Sequence, residues 1–301
     1  MKKLQLLLVS IIFLTFPLSV FAEGEQVELK WINGPTDVEL GENLATLKIK
    51  ENFSYINKED TITFNENIGN YINGTEIGSV FPYDPNESWF IVFEYDEVGN
   101  IEDDDSEKID VDAILNSFRQ GNEEYNKTLE EQGLPTTEII GWDERPSFDK
   151  ETNNLTWAML FSTEGKESVN YNTRILTRNG YISAILVADS SELEGLKPVL
   201  KDVLEGLEIN SGQKYADFDP SVDKVSGIGL AGLIAGGAGV VAAKKGLLAG
   251  AILLFKKFFS VFLQNSGYNL IFTDRACAVH PSISARRMMS SASRRKAFCV
   301  Y

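Results

Sequence analysis

Three segments in the second half of the chain limit its fold more than any other feature. They are NLTWAMLFST (Asn154–Thr163), SVNYNTRIL (Ser168–Leu176) and GYISAILVAD (Gly180–Asp189), rich in aromatic and β-branched residues. The gaps between them, around Glu164-Gly165-Lys166-Glu167 and Thr177-Arg178-Asn179-Gly180, are short and suit antiparallel hairpins. ESWFIVFEY (Glu87–Tyr95) predicts another strand, and Ala45–Lys50 a shorter alternating one. Between these regions Ile114, Leu115, Phe118 and Tyr125 fall on one helical face, with Asp110 or Asp112 placed to cap the start and Gly133 to end it. The spacing predicts a helix over about Asp112–Glu131. A second helix is predicted from SSELEGLKPVLKDVLEGLEI, with a serine cap and an apolar repeat through Leu193, Leu196, Val199, Leu200, Val203, Leu204 and Leu207. Pro198 marks a kink or a later start. The expected fold class is α+β: a mostly antiparallel sheet with at least two helices, followed by a C-terminal membrane helix region.

The 301 residues carry a formal net charge of −16, unevenly spread. Residues 1–22 hold two lysines and no acid, 23–225 hold 43 acids and 16 bases, and 226–301 hold ten bases and one acid. So acidic a middle block repels phosphate backbones, and no nucleic-acid partner is expected. Lys2 and Lys3, the apolar run Leu4–Val20 and the small residues flanking Phe21 read as an export signal. Both cysteines, Cys277 and Cys299, and the single histidine, His280, fall in the last 25 residues. Block 23–225 therefore has no means of forming a disulfide, a thiol nucleophile, a Ser–His–Asp triad or an imidazole zinc site. Its stability must come from its core, and no cofactor is expected.

GLAGLIAGGAGVVAAKKGLLAG (Gly229–Gly250) raises the question of anchorage. The 17 residues Gly227–Ala243 are uncharged and precede Lys244-Lys245; a second apolar run, Gly246–Phe255, precedes Lys256-Lys257. A 17-residue helix is about 25 Å long, at the short end for a crossing. Gly232–Gly236 and Gly246–Gly250 form two GxxxG patterns suited to close helix packing. Basic residues after the apolar runs place the C-terminus in the cytoplasm and the acidic block outside it. A hairpin over 227–263, or a crossing by the second run, are the alternatives. The expected organisation is a signal peptide (1–22), an acidic exported domain (23–225), a glycine-rich anchor region (226–263) and a basic, disordered or aberrant tail (264–301).

Candidate site residues are few. The acidic stretch Glu102–Asp112 offers Asp103, Asp104 and Asp105, and Asp149 lies further on; paired carboxylates could do general acid–base work. The stretch lacks the spacing of an EF-hand, so no metal site is assigned, and an acidic turn leading into a capped helix explains it as well. GWDERPSFD (Gly141–Asp149) reads as a shaped loop. Along the next strand Asn170, Asn172 and Arg174 share one face, with Tyr171 and Thr173 on the other. Arg174 and Arg178 could grip an anionic group, or serve as structural partners for the many acids. Residues 212–227 read as a juxtamembrane linker.

Taken in order, GNIEDDDSEKIDVDAILNSF, GWDERPSFD, LTWAMLF, VNYNTRILTRNGYIS and the stretch from YADFDPSVDKVSG into the glycine-rich run resemble a bacterial family of exported, membrane-anchored proteins. It is the domain of unknown function numbered twenty-one sixty-seven, matched over most of residues 40–260. The resemblance implies an envelope location and a membrane anchor, but no activity. The reading is a membrane-anchored envelope protein, a non-enzymatic binding or structural module, with the membrane and an envelope protein or a second copy as partners. A carboxylate- or metal-dependent hydrolase, and an oligomeric scaffold or pore built on the GxxxG glycines, are the alternatives.

Overall fold

The computed structural model describes residues 29–68, 72, 74–131 and 135–235. Residues 1–22, read above as an export signal, Gly133, Gly236, Gly246, Gly250, both lysine pairs, the cysteines, the histidine and the basic tail lie outside the described residues.

In chain order the strands are β1 (Ile32–Asn33), β2 (Thr36–Leu40), β3 (Ala45–Ile49), β4 (Phe53–Ile56), β5 (Glu76–Pro82), β6 (Phe90–Asp96), β7 (Thr137–Asp149), β8 (Asn154–Thr163), β9 (Lys166–Thr177), β10 (Gly180–Asp189) and β11 (Leu207–Ile209). The helices are α1 (Lys58–Asn67), α2 (Val111–Glu131), α3 (Leu193–Leu204) and α4 (Leu230–Ile234). Eight strands form one sheet in the order β1-β4-β5-β6-β10-β9-β8-β7, and three form a second in the order β11-β3-β2. Every strand pair is antiparallel. The α+β class and the expected meander of β8, β9 and β10 are thus present. Among the described residues no helix is long and apolar enough to cross a membrane.

Alternation along the strands divides the large sheet into two faces. Ile91 and Phe93 of β6, Ala184 and Leu186 of β10 and Val169 and Ile175 of β9 point to the first face. There they meet Leu40, Leu47 and Ile49 of the small sheet and Leu193, Leu196, Leu200 and Val203 of α3. Phe90 and Val92 point to the second face, which α1 covers through Phe64. Leu155, Trp157, Met159 and Phe161 of β8 share that face beneath α2, which contributes Phe118, and α4, which contributes Leu230 and Leu233.

Helix starts follow the expected chemistry with one change of residue. Asp110 accepts from Ala113 N at 2.9 Å, so it caps α2. Before α3 the cap is Asp189 and not a serine: its Oδ1 accepts from Ser191 N at 2.9 Å. That bond opens a short 3₁₀ turn, Ser190–Glu192, from which α3 continues with Pro198 inside it. The helical repeat predicted as far as Leu207 stops at Leu204, because Leu207–Ile209 pairs with β3.

GWDERPSFD is not a loop. It is the second half of β7, the edge strand, with three register shifts against β8. Pro146 lies in the last of them, between Glu144 and Ser147. An edge strand with bulges can accept a residue that has no N–H to give the ladder. The stretch 212–227 is likewise no loose linker; it folds back on the domain.

Candidate functional site

The second face carries the chemistry. Cross-strand pairing aligns Glu94 of β6 with Ser183 of β10, and Ser183 with Arg174 of β9. One step along, Asp96 aligns with Tyr181; one step the other way, Val92, Ile185 and Asn172 form a row, followed by Phe90, Val187 and Asn170. On β8, Leu155, Trp157 and Met159 face Arg174, Asn172 and Asn170. Asn170, Asn172 and Arg174 therefore share a face as the sequence indicates, and that face is interior, with exposures of 2%, 1% and 3%.

Arg174 is held without an ion pair among the described residues. Its guanidinium carbon lies 5.1 Å from the ring centre of Trp157 and 5.8 Å from that of Tyr181. Each π face attracts the cation, more strongly for being out of water. Its Nε and Nη1 have no hydrogen-bond partner among the described residues, nor has Ser183 Oγ or Asn172 Oδ1. Asn172 Nδ2 donates to Asn170 O at 3.1 Å. The Tyr181 hydroxyl is pushed well above its usual range, by burial first and then by the Asp96 carboxylate, with Arg174 opposing. Beside Asn170 and Asn172 is a cavity of about 10 Å³ walled by Phe118, Trp157, Met159 and Phe161, room for about one water. The row leaves two guanidinium nitrogens, an amide oxygen and a hydroxyl without hydrogen-bond partners among the described residues, and the cavity beside it touches Asn170 and Asn172.

A second concavity, a polar groove of about 460 Å³, runs between α2 and the β7–β8 edge and is lined by Arg119, Asn122, Asn126, Thr137, Glu138 and Ser162. Much of that lining is in structural use. Asn122 and Asn126 both donate to Thr137 O, at 2.6 and 2.7 Å, and Thr137 N donates to Asn126 Oδ1 at 3.1 Å. Arg119 donates to Ile140 O at 2.6 Å. These bonds satisfy backbone groups of Thr137 and Ile140 on the outer edge of β7, which has no neighbouring strand among the described residues.

The four aspartates are not brought together. Asp149 ties its own hairpin turn, accepting from Glu151 N at 2.8 Å and Thr152 Oγ1 at 2.9 Å, and those bonds hold its carboxyl below the usual range. Asp105 accepts from Leu230 N at 3.1 Å and Ala231 N at 3.4 Å, capping α4 from 125 residues away. Asp103 is half-buried and Asp104 exposed, and none of the four lines either concavity. Among the described residues no group of three or more His, Cys, Asp or Glu side chains is placed to hold a metal ion.

Arg178 stands apart from Arg174. Its Nε and Nη2 grip the two oxygens of Asp223 at 2.7 and 3.0 Å, and its Nη1 donates to Gly212 O at 3.3 Å. The guanidinium holds the Asp223 carboxyl below its usual value. Around this clamp Arg178 N donates to Gln213 O, Asn100 N to Lys224 O and Ser226 N to Asn100 O. Tyr215 Oη donates to Ile101 O at 2.6 Å. Gly99, at φ +95, allows the approach, since a Cβ there would stand 2.7 Å from Lys224 O. Residues 212–226 are thereby strapped across the end of the sheet. Gly232, the described member of the first GxxxG pattern, faces its own segment: a Cβ there would meet Ile228 Cβ at 3.0 Å.

Fold and site define an antiparallel α+β module with a buried polar row and a strapped C-terminal segment. The chain belongs to the family described as Protein of unknown function (DUF2167), whose profile matches residues 32–267. No curated protein sequence matches it. Among solved structures it is similar to the solution structure of cyanobacterial PsbP (CyanoP) from Synechocystis sp. PCC 6803, at 8% identity and a TM-score of 0.29, over 64% of this chain and 99% of that one.

Proposed function

We propose that the protein is a non-enzymatic binding or structural module of the cell envelope, its acidic domain exported and tethered to a membrane by the region after Ala235. The observation that carries this reading is the strap. Arg178, Asn100 and Asp105 fasten residues 212–231 to the sheet end and the α2 approach, so the chain leaves the domain in a fixed direction. A loose linker would serve a module that must only be retained; a fastened exit serves one that must present a chosen face. The acidic surface of residues 23–225 favours partners with basic or cationic faces. The hydrolase reading draws no support, since Asp105 and Asp149 are committed to backbone amides.

Fractionation of cells with limited proteolysis from the exported side tests this. The full chain should pellet with membranes and its domain should be reachable from outside. Arg178→Ala should pellet equally but be cut faster within residues 212–226. Wild-type protein in the soluble fraction overturns the anchored reading; equal cleavage of both proteins overturns the strap.

A further inference from the structure

Apart from the buried row, the polar groove between α2 and the β7–β8 edge holds side chains that the fold leaves unused. Its volume of about 460 Å³ is in the range of ligand-binding clefts. Arg119 is the one base in the described lining, and its guanidinium is turned onto Ile139 O and Ile140 O. Three carboxylates line the groove with it, each from a different element: Glu123 from α2, Glu138 from β7 and Glu164 from the turn between β8 and β9. All three are exposed, and none forms an ion pair among the described residues.

Asn122, also in the lining, adds an observation of another kind. It is 5% exposed, and its Nδ2 is held on Thr137 O at 2.6 Å. The reverse orientation of the amide would set oxygen against oxygen, so Oδ1 is turned away from that carbonyl. There it has no hydrogen-bond partner among the described residues. A buried acceptor without a donor is costly to keep. This one stands in the wall of a groove whose unpaired charges are acceptors too.

We infer that the groove takes an extended basic segment of a partner protein, whose lysine or arginine side chains meet the three carboxylates and whose N–H groups include a donor for Asn122. This deepens the binding reading above and rests on it, but not on the membrane tether. An anionic ligand would meet three like charges. A single metal ion needs its ligands within one coordination sphere, and no group of three acidic side chains among the described residues is so placed. Carboxylates held apart on three elements suit charges spaced along a chain. Ser162 pairs with Glu138 across the ladder, and Glu164 follows two residues on, about 7 Å further along extended backbone. Alternate side chains of an extended peptide have that same spacing.

Fluorescence anisotropy of labelled tetralysine, titrated with the full chain in a non-ionic detergent, tests this. Binding should saturate and weaken as salt is raised, and labelled tetraglutamate should not bind. Glu123→Gln, Glu138→Gln and Glu164→Gln together should raise the Kd about tenfold or more. The melting midpoint of that triple variant should stay unchanged, because these side chains are exposed. Glu42→Gln, Glu51→Gln and Glu66→Gln together remove as much charge from exposed positions elsewhere. They should change the Kd by less than about twofold, as distant charges are screened. Equal weakening by both triple variants would mean that net charge alone attracts the probe. That result, a wild type that ignores tetralysine, or one that binds tetraglutamate as well, overturns the groove and leaves the anchored reading to fractionation. A wild type found in the soluble fraction that still binds through the groove overturns the anchor and keeps the groove.

Discussion

The two faces of the large sheet are built from the same strands, residue by residue in alternation, yet they bury different chemistry. The first face, under the small sheet and α3, has an apolar core. The buried charged side chains of the described residues, Glu76, Glu94, Asp96 and Arg174, all sit on the second. Covering a charge is costly unless it is matched, and Arg174 is matched mainly by two ring faces. A chain that needed only a stable sheet could have filled that row with apolar side chains, as β6 and β10 do on the other side. Both faces bury apolar clusters, and the contrast lies in the polar row, which only the second face carries.

The largest effect that would test the contrast is on the first face. Phe93 is fully buried there, so Phe93→Ala should cost about 3–5 kcal/mol in chemical denaturation. A loss under about 1 kcal/mol would mean that this face is not a stabilising one. A smaller effect belongs to the strap at the sheet end. Asp223 has its carboxyl lowered from 3.8 by Arg178, so the native state favours its ionised form. That contribution is present above 3.8 and is lost as the pH falls through the lowered native value. Asp223→Asn should therefore be less stable than wild type at neutral pH and converge with it in strong acid; parallel curves throughout would discard the clamp. The smallest change is expected on the second face. Asn172 is 1% exposed and its Oδ1 has no partner among the described residues, so Asn172→Leu should leave the midpoint unchanged or slightly raised. A loss above about 1 kcal/mol would show the polar row to be structural and would collapse the distinction between the faces.

How far the sequence could be read varied with the signal each element carried. β8 and β10 have the predicted bounds, because alternation and turn residues agree there. The apolar stripe of α2 packs as its period implies, with Ile114, Leu115, Phe118 and Tyr125 on the covered side. By contrast α1 escaped notice: KEDTITFNEN has almost no apolar stripe, and its one local mark is Asn57, which accepts from Asp60 N at 3.0 Å. The edge strand β7 was disguised by Gly141 and Pro146, which read as loop residues unless the strand is known to have one free side. In the candidate site, the shared face of Asn170, Asn172 and Arg174 was visible, but its burial was not, since alternation names two faces without saying which is covered. Arg178 was legible as a scarce base among acids, while its partner Asp223, 45 residues on, was not.

The sequence by itself determined the antiparallel meander, the two longer helices, the absence of Cys and His chemistry from residues 23–225, and the family resemblance. These follow from periods of two and 3.6 residues and from composition, which are properties of neighbouring residues. Only the tertiary structure decided that Asp105 caps a helix 125 residues away, that residues 212–226 are a strap, and that Leu230, Leu233 and Ile234 belong to the domain core. Such contacts depend on which layer settles on which face of the sheet. Hydrophobicity favours burial without choosing between a protein core and a bilayer, so an apolar run reads the same in either place until the chain has folded.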